Sequence, residues 1–140
     1  MTTSTFASAS SHGGPTSEYR PGVCNIGPAE IARRRLAGHV GLIATFALLA
    51  ALIAIDAPPA FRLSATLPAV ASASGYLQSW LKFCAGFGSH GIFNFGAVGE
   101  STQVTNDEAL AKDRRRSRQI GVWALAIGVV IGAVAALLPV

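Results

Sequence analysis

Apolar and polar positions alternate along this chain in long blocks rather than at the short period of a strand. Residues 38–57 are almost wholly apolar, carry no charge before Asp56, and end at Pro58 and Pro59. About 20 residues make a helix of ~30 Å, which matches the hydrocarbon thickness of a bilayer. Residues 119–138 form a second run of this kind. Between them, residues 62–83 have the right length but are rich in Ala and Ser, with Arg62 and Lys82 placed to snorkel at the two ends. Ala65, Ala69 and Ala73 form a small-residue stripe there, and Gln78 is expected to hydrogen-bond between helices. In the last run Ala124, Gly128, Gly132 and Ala136 recur every four residues and include a GxxxG. Intrachain packing and a homodimer contact both fit that motif.

The connections read differently. Residues 1–22 hold much Ser, Thr, Gly and Pro with no apolar core, and are expected to be a disordered tail. Pro28 suits a first helical position, and Glu30 lies where a carboxylate faces the positive end of a helix dipole. Arg33, Arg34 and Arg35 follow. After the middle segment, Cys84 leads into Gly86, Gly88 and Gly91 with Phe87, Phe93 and Phe95, an expected break or short re-entrant turn. Asn106 or Asp107 is placed to cap a short helix before Arg114, Arg115, Arg116 and Arg118.

Composition points the same way. Hydrophobic residues make up 51% of the 140 and charged ones only 13%, against about 25% charged in soluble domains. Mean hydropathy is +0.45. The net charge of +4 is concentrated in two arginine clusters beside apolar runs. They read as juxtamembrane anchors rather than as a nucleic-acid surface, because no aromatic residue is interleaved with them.

Charge also sets the threading. Lys and Arg prefer the cytoplasmic side. With two spans the arginine clusters fall on opposite sides. With three, Arg33–Arg35, Lys82 and Arg114–Arg118 share one side, with Trp80 and Trp123 at the same interface. The expected fold is an all-α integral membrane protein with three transmembrane helices, a disordered N-terminal tail and a glycine- and aromatic-rich turn after the second helix. Its N-terminus is cytoplasmic and its C-terminus outside. A hairpin over residues 67–95 that dips in and returns is the second topology.

That threading puts Cys24 and Cys84 on one side at similar depth, with His39 and His90 nearby. The two thiols fit inert buried residues, a redox or sulfur-handling pair, or, with the two histidines, a weak site for zinc or copper. There is no CxxC, no HxxxH, no phosphate loop and no nucleophile–base arrangement, so an enzyme is not expected and a cofactor stays unspecified.

Asn25-Ile26-Gly27 with Glu30, Arg33–Arg35 and Gly38, and Gly75 through Phe83-Cys84 to Phe87-Gly88, resemble the YgaP-like bacterial inner-membrane domains associated with rhodanese sulfurtransferases. The resemblance implies a two-helix anchor and dimerisation unit near sulfur chemistry, and a thiol role for Cys84. This chain departs from it in Ala85, where the family has Pro, and in the added third span. The expected function is a non-enzymatic subunit or anchor of a larger inner-membrane complex, with the bilayer and a membrane-protein partner or second copy as its contacts. The alternative is a thiol-dependent relay or transport of a sulfur species or soft metal through Cys24 and Cys84.

Overall fold

The computed structural model describes residues 19–140, so most of the expected tail, residues 1–18, lies outside the described residues. Residues 19–22 belong to a turn, in which Arg20 and Cys24 bridge through their backbones and Gly22 has φ 68°.

The fold is mostly helical. Helix α1 spans Pro28–Ala54, with Pro28 in its first turn. It passes through Arg33–Arg35 without a break, so the basic segment is the opening of the first long helix. At its far end Asp56 adopts φ 51°, and the Ala57 N–H donates to Leu52 O at 2.9 Å. That six-to-one closure satisfies a terminal carbonyl, and Pro58 stops any extension.

A 3-10 helix, Pro59–Ala65, reverses the chain. Helix α2, Thr66–Leu81, then runs back along α1, pairing Ser72 with Gly41 and Gly75 with Gly38. It is one continuous helix of 16 residues. It is also shorter than the expected 62–83, because its first residues are wound as the 3-10 turn and Lys82 (φ 54°, ψ 37°) ends it in the left-handed region. A six-residue helix α3, Ala85–His90, follows and closes at Gly91 with φ 69°. Strands β1 (Ile92–Phe93) and β2 (Thr102–Gln103) make a small antiparallel ladder, Ile92 opposite Gln103 and Phe93 opposite Thr102.

Helix α4, Asp107–Leu137, is capped by Asn106, whose Oδ1 accepts from the Ala109 N–H at 3.0 Å. The short capped helix and the last apolar run are therefore one element. It runs antiparallel to α2, with Gly128 against Val70 and Gly132 against Thr66. Helix α2 is thus the middle of the arrangement, and α1 and α4 hardly touch one another.

The packing inverts that of a soluble core. Gly38, Gly41 and Thr45 of α1 are buried, as are Ala69, Ser72, Ala73, Gly75 and Ser79 of α2 and Ala124, Gly128 and Gly132 of α4. Large apolar side chains such as Ile43, Phe46, Leu67, Val130 and Leu137 point outward. A Cβ on Gly75 would lie 2.5 Å from the Gly38 nitrogen, so the α1 and α2 backbones are in direct contact there. In α4 the buried face runs through Ala124, Gly128 and Gly132 and then shifts. Ala135 is buried and Ala136 only half-buried, because a four-residue step overshoots the 3.6-residue turn and drifts off the face.

Helices α1 and α4 are each long and apolar enough to cross a membrane.

Candidate functional site at the basic end of the bundle

The arginine clusters of α1 and α4 lie at the same end of the bundle, since Arg34 meets Cys84 just beyond α2 and Ser117 of α4 packs on Gly88 of α3. Beneath that end the connections close into a polar cap, built from three short segments far apart in sequence.

Asn25 ties the first to the second. Its Nδ2 donates to Cys84 O at 3.0 Å, and the Cys84 N–H donates to its Oδ1 at 2.6 Å. The amide side chain thereby satisfies both backbone groups of a buried residue, as a neighbouring strand would. Asn94 ties the first to the third: Gly27 N–H donates to Asn94 O at 2.8 Å and Asn94 N–H to Asn25 O at 3.0 Å. Gly27 has no alternative at this crossing, because a Cβ would stand 2.9 Å from the Phe95 Cα. The Asn-Ile-Gly motif is therefore a docking device for the cap, with Ile26 fully buried inside it.

Glu30 lies inside the cap with no solvent exposure. Its Oε1 accepts from Asn94 Nδ2 at 3.3 Å. Its Oε2 has no hydrogen bond and faces Arg34 Nη2 at 3.6 Å and Arg33 Nη1 at 4.0 Å. Arg34 Nη2 also donates to Cys84 Sγ at 2.9 Å, and its guanidinium lies 5.7 Å from the Phe87 ring centre. Glu30, Arg34 and Cys84 thus form a line of carboxylate, permanent cation and sulfur.

Cys24 and Cys84 are both buried and carry no disulfide. Cys24 Sγ donates to Ile26 O at 3.8 Å. The cap brings both cysteines to the basic end, but the histidines go elsewhere. His39 is exposed on α1, 2.6 Å from the Tyr76 hydroxyl, and His90 is exposed at the end of α3. Among the described residues no group of three His, Cys, Asp or Glu is placed to hold a metal ion. The sequence-based idea that Cys24, Cys84, His39 and His90 meet is corrected accordingly: the two histidines face outward on separate elements.

Other expected residues take definite positions. Trp80 and Trp123 are exposed, the first in a cleft with Arg35 and the second in a cleft with Arg115 and Arg118. Lys82 forms the left-handed end of α2. Arg114 is exposed, and Arg116 is half-buried beside the turn at Pro21 and Gly22. Ala65 is buried at the end of the 3-10 helix. Gln78 links α2 to α3 as expected: it accepts from the Ala85 N–H at 3.0 Å, holding the turn at Cys84, and donates to Ser74 within α2. Arg62 does not snorkel outward. It is buried, and donates to backbone oxygens of Leu138 and Val140.

Sequence reasoning missed Asn25, Asn94 and Asp113 as organising residues. Asp113 is fully buried in α4 and accepts from the Tyr19 hydroxyl and the Gly22 N–H, both at 2.7 Å. Tyr19 stacks on Phe93 with centroids 4.6 Å apart. Burial, then the hydrogen bond to Asp113 and its charge, push the Tyr19 phenol well above the ordinary tyrosine range. A lone acid just before an arginine run was the available signal.

Comparison of the chain with family models, curated proteins and solved structures gives no match.

Proposed function

We propose that this protein is a three-span, non-enzymatic membrane subunit or anchor, with the basic end and its cap in the cytoplasm and the 3-10 turn outside. The observation that carries this reading is the inverted packing: Gly, Ala, Ser and Thr between helices, and Leu, Ile, Val and Phe around them. Such helices gain little from hydrophobic burial and associate through close backbone contact, as membrane helices do. Both arginine clusters at one end, each with a neighbouring indole, support the orientation. Helix α2 crosses between two better-qualified spans, shielded by both, which explains how so polar a segment serves as a third. A cap stitched by backbone and amide hydrogen bonds presents a rigid face for a partner, the membrane-protein complex or second copy that the reading requires.

Native-thiol labelling is a poor test of topology, because both cysteines are buried. Single cysteines at exposed Ser64 and Ser101 in a Cys24→Ser/Cys84→Ser background serve better. Ser64→Cys is expected to react with an impermeant maleimide in intact cells, and Ser101→Cys only after permeabilisation. Labelling of both from outside defeats the three-span arrangement. Purification in mild detergent as a lone monomer defeats the subunit role.

The contact between Arg34 and Cys84 favours a second reading, a thiol-dependent relay of a sulfur species or soft metal. Under that reading the Cys24→Ser/Cys84→Ser protein loses transport or tolerance in cells. Wild-type behaviour of that variant removes it.

A further inference from the structure

We propose that the groove between α1 and α2 binds one anionic phospholipid, with its phosphate at Arg35 and an acyl chain in an apolar slot walled by α4. The proposal rests on the three-span reading and adds a ligand to it.

Arg35, His39, Leu42, Phe46 and Leu49 follow one another at steps of three and four along a single face of α1. The opposing face of α2 carries Trp80, Tyr76, Ala73 and Ala69. At the basic end these faces enclose a cleft of about 480 Å3 lined by Arg35, His39, Tyr76, Ser79 and Trp80. Farther along they enclose a slot of about 320 Å3, with Leu42, Phe46 and Leu49 on one wall and Ile127 and Ile131 on the other. Tyr76 borders both spaces, so they lie end to end along the same pair of helix faces. The slot exists because α1 and α4 each pack on α2 without closing on one another, and because Ala69 and Ala73 leave its floor low.

Charge, depth and width select the occupant. Among the described residues Arg35 has no ion pair, and no acidic side chain lines either space. The groove therefore has a cation without a counter-ion at its mouth, beside His39 and the Tyr76 hydroxyl. From His39 to Leu49 the helix rises about 15 Å, half of a ~30 Å hydrocarbon core and so the depth of one leaflet. A partner helix 10–12 Å across would fill on the order of 1,000 Å3 over that length. The slot of about 320 Å3 accepts an acyl chain instead.

The test is native mass spectrometry of the full chain in detergent, titrated with phosphatidylglycerol or phosphatidylcholine. One phosphatidylglycerol is expected to stay bound in preference to phosphatidylcholine. Arg35→Gln should reduce that preference about fivefold, the weight of one interfacial cation. Ala73→Leu, which fills the floor, and Ile131→Trp, which narrows the slot from its lip, should each lower occupancy by both lipids. Arg115→Gln, outside the groove, should leave both readings unchanged. Equal retention of the two lipids, an Arg115→Gln loss as large as that of Arg35→Gln, or binding of glycerol phosphate as tight as that of the lipid would each overturn the proposal. Alkaline carbonate extraction of the same membranes separates the two ideas. A chain released by carbonate defeats the membrane reading, whereas a retained chain without lipid preference defeats the lipid site alone.

Discussion

The Arg34 guanidinium donates to the Cys84 sulfur at 2.9 Å while facing the fully buried Glu30 carboxylate at 3.6 Å. One side chain of α1 thereby joins the start of the first helix to the chain beyond the second. Removing it leaves Glu30 with its more distant contact to Arg33 at 4.0 Å and the hydrogen bond from Asn94.

Arg34→Ala is expected to destabilise the cap by about 3 kcal/mol, the cost of stranding a buried charge. Glu30→Gln in the same chain should restore most of that loss by removing the stranded charge. Thermal unfolding in detergent of the two single variants and the double variant gives the coupling. Additive losses would show that the pair does not interact.

Gly75→Ala should separate α1 from α2, because the added Cβ meets the Gly38 backbone at 2.5 Å and the Arg34 carbonyl at 2.8 Å. Overpacking of this kind costs about 1–3 kcal/mol. Gly121→Ala is the matched control, since its Cβ meets nothing within 4 Å. It should be neutral or slightly stabilising, as alanine is the better helix former. Melting temperatures of the two variants decide the point.

The turn at residues 19–22 is predicted to loosen in alkali. The phenol of Tyr19 is held above its ordinary value in the folded chain, so its contribution is complete below the unfolded value of about 10. It falls as pH rises above that, because the unfolded phenol ionises first. The melting-temperature difference between wild type and Tyr19→Phe should shrink above about pH 10. A difference that stays constant through that range would exclude the mechanism.

Arg62→Lys is expected to behave like Arg62→Ala rather than like wild type. The guanidinium uses two nitrogens to reach backbone oxygens of Leu138 and Val140, and an ammonium offers no such fork. Faster hydrogen exchange in the last turn of α4, for both variants, is the readout.

Much of the helical skeleton is legible in the sequence because its signals are local. Pro58 stops α1, Gly91 ends α3 and Asn106 caps α4, each through its own backbone or side chain. The glycines of α4 mark a close approach that any membrane helix would exploit. The cap is not legible in that way. Asn25, Cys84 and Asn94 acquire their roles only when segments about 60 residues apart close on one another, and nothing in their local pattern specifies the partner. Arg62 was misjudged for the same reason. Its long side chain finds acceptors on Leu138 and Val140 that are set by tertiary closure, not by helix phase.

The central place of α2 bears on how the protein is made. Its Ala, Ser and Gly content gives it little affinity for lipid on its own, yet the wall formed by α4 is translated only after the whole cap. Until α4 is made, the face of α2 that carries Thr66 and Val70 has no helix to pack against.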